Sequence, residues 1–346
     1  MPLLQSQFYS IQRKGTLLKI ATLEEVLAEV NKGGFIWLDY VEPAKEQLSP
    51  LIDALGLHPL AIEDCFDENQ IPKIEDYPQH TFILFNSFSY DNQALSTYEV
   101  DIFVGKNFLV TVSGVNDKNQ PLLEGIERFV ERGFENVSHG PDFLAHIILD
   151  YIVDQKFTVI ETLEEELANA EDAILDEDAD FNPGELIHLR RALLSLRKSL
   201  FHEREVLVKI CRKDSPYISN KAIFYYRDIY DHLAKFFELI ESARDIVTSL
   251  MEMHLSIINN RMTRAANLTN ITVRRLTTIT TIFMPLSLLA GIGGMSEWSM
   301  MTGPTNWPIA YPAFIAAMAV LGVITYALLK RLERNDRGPD GPAAGE

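Results

Sequence analysis

The chain has 346 residues, with 49 acidic against 31 basic side chains and a formal net charge of −18. Acidity on that scale excludes nucleic acid as a partner, because a phosphate backbone demands a basic surface. The two cysteines, Cys65 and Cys211, provide no disulfide framework and suit a reducing compartment.

Met1 to Ser10 lack a basic stretch followed by an apolar run, so no cleavable signal is expected. Residues 1–140 predict a mixed α/β domain. Its strand-like runs are Gly34–Asp39, Thr81–Phe88, Val100–Val104 and Phe108–Val112, rich in β-branched and aromatic residues and bounded by turn formers. Ala21–Val30 predicts a helix that Thr22 caps, with Glu25 completing a capping box.

Past Pro141 the period changes. Phe143–Leu175 and Glu185–Cys211 carry apolar residues at intervals of three and four, separated by Asn182-Pro183-Gly184, so residues 141–219 predict a helical hairpin. A third helical pattern starts near Asn220 and meets no proline or glycine until Pro285. Residues 220–275 therefore predict a long stalk helix. Continued into the next segment it exceeds about 60 residues, on the order of 100 Å.

From Leu276 to Leu329 the one charged side chain is Glu297. Residues 276–295 and 308–329 form two apolar stretches of about 20 residues, each long enough for the ~30 Å hydrocarbon core of a bilayer. They predict two transmembrane helices joined by an external loop, 296–307. Arg274 and Arg275 precede the first span, and Lys330, Arg331 and Arg334 follow the second. The loop has no cation, so both termini, including a basic tail over 330–346, are expected in the cytoplasm. Trp298 and Trp307 fall at interfacial positions, and Arg274 and Arg275 are expected to meet lipid phosphates. The chain reads as a multi-pass protein of the cell membrane, the inner one in a Gram-negative cell.

One stripe of the long helix recurs every 3.5 residues on average: Glu252, Ser256, Asn259, Thr263, Ala266, Asn270, Val273, Thr277, Thr280, Met284, Ser287, Gly291 and Gly294. That is the period of a left-handed supercoil, yet the residues are mostly polar or small instead of Leu, Ile or Val. A polar stripe in a membrane faces a partner helix or water, not lipid. Its continuation through Asn270 and Asn259 to Glu252 suits several copies around a water-filled axis. Hydroxyls and amides there hold a hydrated cation without stripping its water, as Mg²⁺ requires. On this reading Asn270, Val273, Leu276, Thr277, Thr280, Met284, Ser287 and Gly291 line a pore, with Leu276 and Met284 as apolar constrictions. Pro285 removes one backbone hydrogen bond; a kink, a carbonyl freed toward the axis and plain packing are all open to it.

The stretch Leu276-Thr-Thr-Ile-Thr-Thr-Ile-Phe-Met-Pro-Leu-Ser-Leu-Leu-Ala-Gly-Ile-Gly-Gly-Met295 resembles the pore helix of the CorA family of two-span divalent-cation transporters. His58-Pro-Leu-Ala-Ile-Glu-Asp64 with Pro72-Lys-Ile-Glu-Asp-Tyr77 is similar to that family's N-terminal signature. Tyr226-Arg-Asp-Ile-Tyr-Asp-His232 and Arg244-Asp-Ile-Val247 are similar to its stalk signatures. The resemblance implies an α+β cytoplasmic domain, a helical hairpin, a stalk helix and two transmembrane helices, assembled as a funnel-shaped homopentamer in a lipid bilayer. It implies channel-like transport of Mg²⁺, with Co²⁺ or Ni²⁺ as further cargoes, driven by membrane potential. No nucleotide loop and no organic cofactor are expected.

The family's external Gly-Met-Asn reads Gly294-Met295-Ser296 here, with Glu297 beside it. A serine hydroxyl reaches less far than an amide carbonyl, and a carboxylate ring selects differently from an amide ring. The family's later Met-Pro-Glu-like sequence is replaced by Met300-Met-Thr-Gly-Pro304. Seven extra residues between Glu252 and Leu276 lengthen the stalk by ~10 Å while keeping the stripe in phase.

The resemblance also implies cytosolic Mg²⁺ bound between subunits by carboxylates that hold the channel closed. The matching positions are Asp64 and Asp228, with Glu63 nearby and Glu252 on the stripe. Facing carboxylates repel unless a divalent ion neutralises them; capping a helix or pairing with a basic neighbour is the alternative use of Asp64 and Asp228. The acidic run Glu161–Asp180 is a solvated face or a cation concentrator. His232 and His254 are candidate soft-metal ligands, although no His/Cys spacing here resembles a zinc site. Two other functions stay open: a Zn²⁺ or transition-metal transporter on the same scaffold, and a non-conducting membrane-anchored sensor or scaffold. No nucleophile motif supports an enzyme.

Overall fold

Short runs of β-branched and aromatic residues build β1 (Gln7–Gln12), β2 (Thr16–Ile20), β3 (Phe35–Val41), β4 (Lys73–Asp76), β5 (His80–Asp91), β6 (Ala94–Gly105) and β7 (Phe108–Ser113). This computed structural model describes residues 6–12, 16–30, 34–67, 70–133, 137–176, 181–294 and 303–336. The strands form one sheet in the order β2-β1-β3-β7-β6-β5-β4. β3 and β7 run parallel, and the other neighbours are antiparallel. Asn92 and Gln93, both at positive φ (49° and 61°), close the β5–β6 hairpin in the two-residue turn that matches strand twist.

One face of the sheet, carrying Ile36, Leu38, Leu84 and Val110, is covered by α1 (Leu23–Glu29), α2 (Lys45–Leu48), α3 (Pro50–Leu55) and α4 (Pro59–Asp64). Thr22 caps α1 by accepting from the Glu25 amide at 3.3 Å. The other face meets α5 (Ile126–Arg132) and the long helix α6 (Pro141–Leu175), which packs on β5, β6 and β7. α7 (Gly184–Cys211) returns along the β4 edge. β4 pairs with β5 only over Thr81–Leu84. The next edge amide, that of Asn86, donates instead to Glu203 Oε1 of α7 at 3.1 Å. A helix carboxylate thus completes the ladder where the edge strand stops.

The chain divides into two units, Met1–His254 and Leu255–Glu346. Helix α8 (Ile223–Gly293), 71 residues without a break, belongs to both. In the first unit it buries one face, from Ile223 and Tyr226 through Leu233 and Val247 to Leu250. Tyr226 Oη donates to the Asp142 carbonyl at 2.8 Å, fixing the start of α8 against the start of α6.

In the second unit a 3-10 turn (Pro304–Asn306) leads into α9 (Trp307–Asp336). Both α8 and α9 contain stretches long and apolar enough to cross a membrane. Their exposed Ile279, Phe283, Leu288, Ile315 and Val323 fit contact with lipid. α8 continues through Pro285. The two helices approach where Gly293 meets Phe314, since a Cβ on Gly293 would lie 2.7 Å from that ring, and again where Gly322 faces Leu286.

Candidate functional site

At about 100° per residue, Thr278, Ile282, Pro285, Leu286, Leu289 and Gly293 share one side of α8, and these are its partly covered positions between 271 and 294. Leu286 and Gly293 on this side face α9. Thr277, Thr280, Met284, Ser287 and Gly291 lie roughly half a turn away and are exposed. Gly291 has no atom within 4 Å of where a Cβ would stand. Asn270, Val273 and Leu276 continue this exposed side toward the N-terminal end of α8. The polar stripe is therefore the side that α9 leaves uncovered.

The hydroxyls on that side are already oriented. Thr277 Oγ1 donates to the Val273 carbonyl and Thr280 Oγ1 to the Leu276 carbonyl, both at 2.9 Å. With the proton spent on the preceding turn, each oxygen presents lone pairs outward. Such a surface accepts hydrogen bonds from the water shell of a cation. Gly294 closes the described part of α8, its amide donating to the Ala290 carbonyl at 3.0 Å. Met295, Ser296 and Glu297 lie outside the described residues.

A second constellation stands in the first unit. Asp150 and Asp154, one turn apart on α6, meet His232 of α8, with a ligand atom from each within 4.8 Å of the others. Burial pushes the Asp150 carboxyl up to about 6, Asp154 and Asp228 push the same way, and His232 opposes them. Burial also lowers His146, one turn before Asp150, to about 4, with Asp228 opposing. Like-charged carboxylates held this close gain from a divalent counter-ion, and the oxygen-rich set with one imidazole suits one.

Of the carboxylates expected from sequence, Asp228 is exposed beside this cluster. Asp64 stands elsewhere, paired with Lys73 at 2.7 Å, and its carbonyl accepts from Gln70 Nε2 at 2.5 Å. Glu63 and Glu252 are exposed. Among the described residues no hydrogen bond or ion pair joins Asp64 to Asp228 within one chain. Asp150 and Asp154 escaped the sequence reading, although two acids one turn apart among Leu149, Ile152 and Val153 were a usable signal.

A family model for CorA-like Mg²⁺ transporter proteins matches residues 32–331. The chain is 32% identical over 279 residues to the cobalt/magnesium transport protein CorA of Thermotoga maritima, covering 80% of this chain and 76% of that one. It is 31% identical over 315 residues to the putative metal ion transporter YfjQ of Bacillus subtilis, covering 90% and 93%. The fold matches the complete structure of the CorA magnesium transporter from Methanocaldococcus jannaschii with a TM-score of 0.68 at 23% identity, over 96% of this chain and 99% of that one. Sequence, spans and fold agree: the chain belongs to the CorA-like Mg²⁺ transporter family.

Proposed function

We propose that the chain conducts Mg²⁺, and Co²⁺ or Ni²⁺ less selectively, through the axis of a homopentamer in the cell membrane, with both termini in the cytoplasm. As a family member it is a divalent-cation transporter and not an enzyme. The observation that carries the reading is the hydroxyl-bearing side of α8 that α9 leaves uncovered. Five such sides make a wall of acceptors over Asn270, Thr277, Thr280 and Ser287, narrowed at Leu276 and Met284. Inward movement is driven by the membrane potential, roughly 2.3 kcal/mol per elementary charge per 100 mV and twice that for a divalent ion. Gly294, Met295, Ser296 and Glu297 form the external mouth.

Cytosolic Mg²⁺ closes the channel through Asp64, Glu63, Asp228 and Glu252. Asp150, Asp154 and His232, which stand beside Asp228, support this, because an ion there neutralises carboxylates that otherwise repel. Uptake of Mg²⁺ into proteoliposomes at a set potential tests the whole reading. Absence of divalent flux at every potential and internal Mg²⁺ level overturns it in favour of a non-conducting sensor.

A Zn²⁺ or other transition-metal cargo is the second reading, favoured by Gly294-Met295-Ser296 and the adjacent Glu297. Ser296→Asn separates the two. Under the Mg²⁺ reading it sharpens the preference for Mg²⁺ over Zn²⁺ in the same assay, and an unaltered preference removes the mouth from the selectivity argument.

A further inference from the structure

Asp64, a carboxylate proposed to hold the closing ion, already has a cation from its own chain. It ends α4, and Lys73 opens β4 nine residues later. Lys73 Nζ lies 2.7 Å from Asp64 Oδ2, with 29% and 20% of the two side chains exposed. Both main chains are held. The Asp64 carbonyl accepts from Gln70 Nε2, and the Gln70 amide donates to Glu99 Oε1 at 2.7 Å. Lys73 is paired with Leu84 in the sheet. Anchored ends make this contact less costly in entropy than a pair of free surface side chains.

A second acceptor stands within reach of the same ammonium. Lys73 and Glu75 share a face of β4, as alternate strand residues do. Lys73 Nζ is 3.6 Å from Glu75 Oε1, and Tyr77 Oη donates to the other oxygen, Oε2, at 2.6 Å. Tyr77 thus holds the Glu75 carboxylate in place beside the ammonium. Lys73 Nζ also lies 5.9 Å from the centre of the Phe82 ring. On its flexible four-carbon stem the ammonium passes from Asp64 to Glu75 by a small displacement.

We propose that Lys73 is a built-in competitor for the regulatory cation, resting on Asp64 when the ion is absent and moving to Glu75 when it binds. The inference rests on the proposed role of Asp64 in closure. One carboxylate does not neutralise an ammonium and a metal ion together, so the ion displaces the lysine or binds against its repulsion. A monovalent ion brings no more charge than the ammonium it would replace, whereas a divalent ion brings twice as much. The exchange therefore favours Mg²⁺ over the monovalent ions of the cytosol. It also raises the Mg²⁺ concentration at which the site fills. Glu75 keeps the displaced ammonium paired, so no charge is left stranded.

The test measures Mn²⁺ binding by the full chain in detergent, using electron paramagnetic resonance after chelator treatment. Asp64→Asn defines the ions that depend on Asp64. Lys73→Gln is expected to tighten that class by about two- to fivefold, the span of ordinary ion pairs. In the Asp64→Asn background the same change should leave binding unaltered. In chelator Lys73→Gln melts below the parent, because Asp64 has lost its partner, and saturating Mn²⁺ closes the gap. A purely structural ion pair would keep that gap with and without the ion. Should Lys73→Gln not fold, Lys73→Met, which keeps most of the stem, takes its place. An Asp64-dependent class that the lysine variants do not tighten overturns the proposal, as does equal tightening in both backgrounds, and either result leaves the regulatory reading standing. If Asp64→Asn binds as the parent does, that reading fails first and this proposal falls with it.

Discussion

Lys156 Nζ of α6 lies 2.6 Å from Glu203 Oε1 of α7, and neither side chain has any exposed surface. The same carboxylate accepts from the Asn86 amide and, at 3.3 Å, from Ser199 Oγ. The ammonium also sits 4.5 Å from the centre of the Phe85 ring. Burial pulls the Lys156 pKa down while Glu203 holds it up. One ion pair therefore joins the two hairpin helices to the sheet edge.

Removing one partner leaves the other charge buried and alone. Lys156→Met is expected to cost about 3–5 kcal/mol of stability, read as an early thermal transition of the purified protein. The double replacement Lys156→Met with Glu203→Leu should recover most of that loss, apart from the Asn86 amide left unpaired. A single mutant that melts with the parent refutes this account of the joint.

His80 has no exposed surface, stacks on Tyr77 and meets the Phe103 ring at a tilt. Burial, then the nearby His58, lowers it from 6.5 to about 4. Below pH 6.5 the unfolded chain takes up a proton that the folded chain refuses, so stability falls from pH 6.5 toward about 4 and levels off beneath it. His80→Phe keeps the stack and removes the titration. Its melting temperature should decline less steeply than the parent's across that interval, and parallel profiles exclude the assignment.

Two glycines two residues apart on α8 give opposite expectations. Gly293 lies against the Phe314 ring, so Gly293→Val overpacks the α8–α9 contact and costs about 1–3 kcal/mol. Gly291 opens onto empty space, so Gly291→Val leaves stability unchanged and narrows the axis instead. Thermal melting and proteoliposome uptake separate the two; equal loss of stability in both contradicts the assignment of faces.

Asp228→Lys places a cation beside Asp150. It should raise the internal Mg²⁺ concentration that halves flux by about tenfold or more, as altered surroundings do at metal sites. Inhibition at the parental concentration removes Asp228 from the closing device.

Long-period features were the legible ones. The hairpin helices, α8 and the two spans follow from apolar spacing over many turns, and β3, β5, β6 and β7 from dense β-branched runs. β4, Lys-Ile-Glu-Asp, carries three charges in four residues because it is an edge, and β1 mixes polar and aromatic residues. α2, α3 and α4 span four to six residues, too few for a helical period to register. The stripe residues were visible because spacing alone defines them. The meeting of His232, itself a candidate ligand from sequence, with Asp150 was not, since 82 positions separate them and only the packing of α6 on α8 brings them together. Lys73, nine residues after Asp64, shows how a local partner claims a carboxylate that a motif alone leaves open.

The threonine protons committed to the main chain have one more effect. On the proposed pore reading, Thr277 and Thr280 turn lone pairs toward the axis, which disfavours chloride and phosphate without a formal charge and accepts any positive visitor equally well. The proposed shaft thus sorts by sign and is blind to element. Whatever discriminates one metal from another must do so at its ends.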